Sequence, residues 1–266
     1  MSRNPDELAR LSEAEARRLV RLYIEAEREI LLQLDRAMAR GNDLKHLRDL
    51  LENVQAVLED LLAGNRQWCE EAVPRVYIEG AKFADEMVGK AAGGFGAIHQ
   101  QAVQVLAENT FDRLESVRQV IGRQVEDVYR RYALETTKQS IIGYKTWKQV
   151  ASEYRDTLRA QGITGFRDRR GREWNMKTYS ETVARTTTME AHLAGTENRL
   201  LEHNIDLVII SAHARSCELC APWQGRVVSL TGKTPGYPTM DRAREEGLFH
   251  PNCRHTFSAY LPEFAA

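Results

Sequence analysis

The 266-residue sequence contains no long hydrophobic run. No segment approaches the roughly 20 apolar residues that a membrane-spanning helix needs. The first residues, MSRNPDELAR, also lack the apolar centre of a secretory signal peptide. We therefore expect a protein that folds in a cytoplasm and has no membrane partner.

An excess of either charge is also lacking. The chain has 37 Lys and Arg residues against 38 Asp and Glu residues, so its formal net charge is -1 and its isoelectric point lies near 6.7. The phosphates of nucleic acid attract clustered positive charge. The balance therefore excludes a non-specific coat on DNA, although a local basic patch remains compatible with it.

Proline is nearly absent from the first 160 residues. Between Asp6 and Leu158 only Pro74 occurs, and the apolar residues there mostly recur at intervals of three and four. This spacing predicts amphipathic helices that end at glycine-containing breaks. The expected helices run from Pro5 to Gly41, from Leu44 to Gly64-Asn65, from Trp68 to Lys90, from the glycine-rich hinge Ala91–Gly96 to about Leu134, and from Thr137 to Ala160.

Motifs of known chemistry are missing from this helical region. It contains no P-loop, no G-x-G-x-x-G after a strand and no H-E-x-x-H. Cys69 has no cysteine or histidine partner near it in the sequence and is interpreted as a core residue. We assign residues 1–160 to a long-helix bundle or coiled-coil region that supplies shape and contact surface.

The pattern changes after Gly162. Residues 165–174 place aromatic side chains on both sides of a glycine-containing turn, which predicts a short β-hairpin with its tip at Asp168–Gly171. A helix is expected from Lys177 to Asn204.

Three strands are expected beyond that helix, because β-branched and apolar residues cluster in short runs. They lie at residues 206–211, 226–230 and 255–260. The predicted fold class is therefore α+β. An elongated helical N-terminal region precedes a small zinc-stapled α+β domain, residues 161–266.

Cysteine is scarce, and three of the four cysteines lie after residue 216. Cytoplasmic thiols stay reduced, so closely spaced cysteines favour a metal over a disulfide. Zinc takes four tetrahedral ligands, and two ligands separated by two residues can reach one ion from a tight turn. Cys217 and Cys220 form one such pair, and His250 and Cys253 form the second. They predict a structural Zn2+ ion in a closed site.

Other interpretations of these residues stay open. The cysteines could be core residues or a redox pair, although Pro222 points to a turn where a redox pair usually opens a helix. His213 or His255 could replace His250 as a ligand, or orient a ligand from outside. With three protein ligands and a bound water, a zinc-dependent hydrolase or nuclease near His213 becomes the alternative function.

Arginine marks two further candidate contacts. Arg185 precedes three threonines in a helix that threonine does not favour. A buried ion pair between Arg185 and Asp168 or Glu173 of the hairpin is one explanation, and an anion contact is another. The hairpin also carries four arginines, including Arg172, which form a solvated turn or touch DNA phosphate.

A distinctive order of residues runs from 162 to 260: Gly162-Ile163-Thr164-Gly165-Phe166, Asp168, Gly171-Arg172, Trp174, Tyr179, Arg185-Thr186-Thr187, Asp206-Leu207-Val208, Ser211, His213, Arg215, Trp223-Gln224-Gly225-Arg226-Val227 and Asn252-Cys253-Arg254-His255. This order resembles the tailed-bacteriophage minor capsid protein 2 family, and more loosely the Mu F-like head-morphogenesis proteins. In the minor capsid protein 2 family a histidine often stands at the position of Cys220 and the first cysteine is often absent, so the zinc prediction rests on the spacing in this sequence.

The resemblance implies a non-enzymatic minor head protein, located in the virion and made in the host cytoplasm. It implies several copies per particle, at the portal vertex or inside the capsid. The portal or the major capsid protein would be the partner, with packaged DNA as a further one. The expected role is assistance in head assembly, DNA packaging or delivery.

Overall fold

The computed structural model describes residues 5–40, 44–91, 93–142, 149, 166–167, 172–214 and 216–262. Long helices account for most of these residues, and a small antiparallel sheet follows them, so the predicted α+β class with an N-terminal helical region is confirmed. None of the described helices is long and apolar enough to cross a membrane. The long helices are α1 (Pro5–Arg40), α2 (Leu44–Met87), α3 (Ala97–Ile142) and α4 (Met176–Glu202).

Helix α2 continues through Gly64 and Asn65, so the predicted helix end at this point is wrong. A Cβ atom on Gly64 would lie 3.1 Å from Leu22 Cδ1, which shows how closely α1 approaches. The buried Asn65 amide donates a hydrogen bond to Tyr23 Oη at 3.1 Å. Both residues serve helix–helix contact inside one continuous helix, and neither acts as a cap.

Pro74 and the predicted break between residues 134 and 137 both lie within continuous helices. Pro74 lies inside α2 although it removes one helical hydrogen bond. The neighbouring Val73, Val76 and Tyr77 are fully buried, and this tertiary packing maintains the helix. Helix α3 likewise runs without a break from 134 to 137. The rest of the helix predicted to Ala160 lies outside the described residues, apart from Gln149.

The chain forms two compact units. The first consists of Met1–Ala16, Cys69–Thr110 and Thr182–Ala266, and the second consists of Arg17–Trp68 and Phe111–Glu181. The predicted domain boundary near residue 160 lies outside the described residues and stays a prediction. The second unit buries the expected apolar stripes of α1 and α2, namely Leu19, Tyr23, Ile30, Leu34, Val54, Leu58 and Leu61.

The predicted hairpin is confirmed. Strands β1 (Phe166–Arg167) and β2 (Glu173–Trp174) pair antiparallel, with Phe166 opposite Trp174. Its tip lies outside the described residues. Helix α4 begins two residues after β2. Asn175 caps its start, because Asn175 Oδ1 accepts a hydrogen bond from Thr178 N at 2.7 Å and so satisfies an N–H group of the first turn.

The three predicted C-terminal strands are confirmed as β3 (Leu207–Ile210), β4 (Val227–Ser229) and β5 (Phe257–Ala259). They pair antiparallel in the order β4-β3-β5. A short helix that the sequence analysis missed, α5 (Met240–Glu245), lies between β4 and β5. Six residues are too few to show a helical period, which explains the omission.

Helices α2 and α4 of the first unit cross in backbone contact. A Cβ atom on Gly80 would lie 2.1 Å from His192 O, and one on Gly195 would lie 2.1 Å from Tyr77 O. Thr196 Oγ1 donates to Gly80 O at 3.1 Å across the same crossing. Only glycine fits at these two positions. The close crossing therefore fixes the position of α4 against α2, and strand β3 follows α4 in the chain.

Candidate metal centre

The first predicted ligand pair lies in a turn between β3 and a short 3-10 helix, Ala221–Trp223. The backbone N–H groups of Cys220 and Ala221 both donate to Cys217 O, at 3.2 and 2.9 Å. This turn points both thiols to one side. Cys217 is exposed at the surface, whereas Cys220 is fully buried.

The second pair lies in a tight turn before β5. Cys253 N donates to His250 O at 2.9 Å, and Asn252 adopts a left-handed φ of 63° that asparagine tolerates. His250 Nδ1 is 2.8 Å from Pro251 O, a contact that places the ring proton on Nδ1. The lone pair of His250 Nε2 is then free to bind a metal, and Nε2 lies 3.1 Å from Cys217 Sγ.

Five donor side chains come together in two groups that share Cys220. Cys217, Cys220 and His250 form one group, and Cys220, Cys253 and His255 form the other, with the ligand atoms of each group within 4.8 Å of one another. The Sγ atoms of Cys220 and Cys253 are 3.6 Å apart, too far for a disulfide. Two thiolates on a tetrahedral zinc ion lie about 3.8 Å apart. This donor set fits Zn2+.

His255 was predicted as an alternative ligand or a supporting residue, and it lies against the cluster. The residue is 4% exposed, and its Nδ1 is 3.4 Å from Cys253 Sγ. The backbone N–H of His255 also donates to the same sulfur, at 3.4 Å. Burial, reinforced by the nearby His213 and His250, lowers the pKa of His255. Both predicted roles stay open for this residue.

His213 lies next to the cluster but in neither ligand group. Its ring meets the ring of His255 edge-on at 4.8 Å between centroids, and its Nε2 shares a hydrogen bond with Ser211 Oγ at 3.1 Å. The side chain is exposed. The hydrolase alternative, which depends on His213, gains no support from this geometry.

The two thiols of the first pair differ in acidity. The backbone N–H of Cys220 holds the pKa of Cys217 down to about 7, whereas burial raises the pKa of Cys220 to about 12. Thiolate is the form that binds metal. Metal uptake would therefore release a proton from a buried thiol, which couples binding to pH.

The cluster is part of the apolar core of the first unit. Cys220 and Cys253 are buried in the same core as Trp223, Val228 and Phe257. Residues of α2 and α4, including Ala84 and Leu200, complete this core. A metal bound here would join the two loops on one side of the sheet.

Arg185 lies on α4, where its Nη2 is 2.9 Å from Glu13 Oε2. Its side chain is 37% exposed, so the expectation of a buried arginine is wrong. Its predicted partner Asp168 lies outside the described residues, and that pairing stays a prediction. Arg172 is exposed, with its guanidinium 5.1 Å from the centre of the Trp174 ring.

The threonines after Arg185 form hydroxyl contacts between helices. Thr188 Oγ1 shares a hydrogen bond with Ser12 Oγ at 2.6 Å, and Thr187 Oγ1 lies 3.3 Å from Thr110 Oγ1. Paired hydroxyls allow polar residues to be buried in a helix interface. This explains Thr187 and Thr188, two members of a threonine run that helix propensity alone disfavours.

A polar cluster around Arg199 was missed by the sequence analysis. The Arg199 side chain is 5% exposed and donates from Nη2 to the carbonyl oxygens of Gly93 and Gly94, at 3.2 and 3.1 Å. Asp85 Oδ1 lies 3.5 Å from its Nε atom. The arginine thereby fixes the glycine-rich segment between α2 and α3. A single arginine in a helical pattern gives no sequence signal for such a role.

Comparisons with known proteins agree with the resemblance noted in the sequence. The profile of the family described as phage minor capsid protein 2 matches residues 5–266. The chain is also similar to a protein named "Structural protein" from Lactococcus phage LL-H, with 27% identity over 148 residues. That alignment covers 52% of this chain and 39% of the relative, so the chain spans less than half of the relative's length. No solved structure matches the chain significantly.

Proposed function

Because this chain belongs to the phage minor capsid protein 2 family, we propose that it is a minor head component that associates with the portal vertex or the capsid interior. Family membership makes the chain a structural protein of the virion. The finer role that we propose is non-enzymatic assistance in head assembly, DNA packaging or delivery. The portal or the major capsid protein would be the partner, and several copies would act in each particle.

The observation that carries this proposal is the extent of the family match, which covers residues 5–266 and therefore both the helices and the sheet. The similarity to a phage structural protein supports the same assignment. Helices of 36 to 46 residues also provide long surfaces for contact with a partner.

A cryo-EM reconstruction of the assembled particle tests the location. We expect density for this chain inside the head or around the portal ring, in more than one copy. Absence of the chain from purified particles, or a position only on the tail, would refute the proposal. Particles that lack the chain should show fewer filled heads or reduced DNA delivery, and these two defects separate an assembly role from an ejection role.

We also propose that Cys217, Cys220, His250 and Cys253 hold one structural zinc ion. Zinc would supply a cross-link between two turns that are 33 positions apart in the sequence. Four protein ligands close the site, which is the arrangement of structural zinc. In this arrangement the N–H group of His255 supports the Cys253 sulfur, and His255 does not bind the ion.

Metal analysis of the purified protein, with X-ray absorption spectroscopy at the zinc edge, tests this assignment. We expect about one zinc per chain, bound by three sulfur atoms and one nitrogen atom. His250→Asn should lose most of the zinc, whereas His255→Asn should keep it. The reverse result would make His255 the fourth ligand. A water ligand in the zinc spectrum would favour the hydrolase alternative.

A further inference from the structure

A polar cavity of about 230 Å³ lies where α1 ends and α2 begins. All of its lining residues belong to the second compact unit. Three of them are basic in character and only one is acidic. The polar lining consists of Gln33, Arg36, Arg40, His46, Asp49 and Asn53.

The two arginines of this cavity have no charge partner among the residues that the structure describes. Arg36 and Arg40 are four positions apart on α1, so their side chains share one face of the helix. Both are exposed, and neither forms an ion pair with any residue that the structure describes. Arg40 lies in the last turn of α1, where positive charge is favourable. Arg36 lies one turn earlier, and that explanation does not apply to it.

His46 provides an independent sign of a ligand. Its Nδ1 atom is shielded from solvent and has no hydrogen-bond partner among the described residues. Buried polar atoms are almost always paired, so an unpaired one calls for an explanation, and a bound water or ion is one such explanation. His46 also lies in the first turn of α2, which contains no acidic side chain, and the N-terminal end of a helix favours an anion.

We propose that this cavity is an anion site that takes a phosphate group. Arg36 and Arg40 would supply the charge, since guanidinium groups suit phosphate oxygens, and His46 would donate a hydrogen bond. Asp49 faces the same cavity and weakens binding by repulsion. Free phosphate and the phosphates of nucleic acid present the same oxygen atoms. The proposal depends on neither the metal centre nor the position in the virion.

Calorimetric titration of the full-length protein with inorganic phosphate, at constant ionic strength, tests the site. The double substitution Arg36→Gln/Arg40→Gln should weaken phosphate binding by about tenfold or more, because each guanidinium makes a charge-assisted contact. The matched control is Arg21→Gln/Arg28→Gln, which removes the same charge from exposed positions of the same helix. This control should change the affinity by less than about twofold, since exposed charges outside the cavity are screened by salt.

Asp49→Asn separates recognition from folding. Removal of the one carboxylate should tighten phosphate binding, and a loss of structure cannot produce a gain in affinity. An equal loss in the test and control variants, no heat of binding at all, or no gain with Asp49→Asn would each overturn the proposal.

A second titration with a short duplex oligonucleotide distinguishes the source of the phosphate. If nucleic acid uses the cavity, the affinities of the variants for the oligonucleotide should rank in the same order as their affinities for phosphate. The oligonucleotide should also compete with inorganic phosphate. If the site takes free phosphate, oligonucleotide retention should be equal in all variants while phosphate binding still differs. Either result supports a phosphate site, and each names a different source.

Discussion

The long helices and the small sheet are stabilised in different ways. In the second unit, the apolar stripes of α1 and α2 are buried over many turns, so stabilisation is spread over many similar contacts. The strands of the sheet are only three or four residues long. Their loops converge on one cluster of thiols and imidazoles. A long helix can therefore tolerate an unsuitable residue such as Pro74, whereas the sheet depends on a few positions.

Loss of a cluster thiol should destabilise the protein more than any other change described below. A small effect would contradict the view that the sheet depends on a few positions. Structural zinc contributes on the order of 10 kcal/mol to folding, which exceeds the stability expected from three short strands. Cys253→Ser should therefore unfold residues after about 206 and leave the helical circular-dichroism signal nearly intact. Limited proteolysis with mass spectrometry locates the unfolded part.

The matched control for that experiment is Cys69→Ala, which removes a buried thiol from α2 outside the cluster. It should keep the full metal content and a protease-resistant C-terminal region. A Cys253→Ser protein that stayed resistant and metal-loaded would show that Cys253 is not a ligand.

The crossing of α2 and α4 is an exception among the helices, because its stabilisation depends on two glycines. It tests whether concentrated contacts make helices as sensitive to substitution as the sheet. Gly195→Ala would place a Cβ atom 2.1 Å from Tyr77 O, a clash that neither backbone can avoid without moving. We expect a loss of about 3 kcal/mol or more in the free energy of unfolding, measured with denaturant. Gly94→Ala is the control, because nothing lies within 4 Å of its added carbon. Equal losses in both variants would contradict the close crossing.

Acid should weaken the same crossing through His192. Burial lowers the pKa of this histidine to about 4, and its Nδ1 has no hydrogen-bond partner among the described residues. The unfolded chain therefore binds the proton more readily, and stability is lost as the pH falls from about 6.5 towards 4. The expected loss is about 3 kcal/mol at pH 4. His192→Phe should flatten this part of the stability profile, and an unchanged slope would exclude His192 as the cause.

The smallest effect is expected at Asp206, which precedes β3. Burial would raise the pKa of this carboxyl, but hydrogen bonds from Ser229, Thr231 and Thr234 outweigh it and hold the pKa far below its usual range. Its contribution is thus complete at neutral pH and is lost only as the pH falls well below about 4.

Asp206→Asn should cost about 1 to 2 kcal/mol at pH 7, because charge-assisted hydrogen bonds become neutral ones. The control is Asp241→Asn on α5, whose side chain is 83% exposed. Thermal unfolding at pH 7 should separate the two variants. Similar melting temperatures would mean that the sheet does not depend on this carboxylate.

The sequence predicted the positions of the elements better than their continuity. Periodic apolar residues located α1 and α4, and β-branched runs located all three strands of the sheet. Gly64 and Asn65 misled because these residue types end a helix in one context and fit a close contact in another. The local sequence contains no information about Leu22, which lies opposite Gly64.

The side-chain cluster of the candidate metal centre could be predicted in part, whereas metal binding itself stays a prediction. The spacing of Cys217 and Cys220, and of His250 and Cys253, requires only local turns, and the structure brings both pairs together. The approach of His255 depends on how β5 continues from the second turn, which spacing does not specify. The clamp around Arg199 and the crossing at Gly80 depend on distant backbone atoms, so no pattern within one helix could predict them.

The contacts between the start of α1 and α4 also affect the timing of synthesis. Glu13 meets Arg185 over a sequence separation of 172 residues, and Ser12 meets Thr188 over 176. Ribosomes add about 5 to 20 residues per second, so these polar groups wait roughly 9 to 35 s for their partners. The first turns of the protein are thus made early and reach their final neighbours late. A translational pause before α4 should prolong that wait without changing any contact in the finished molecule.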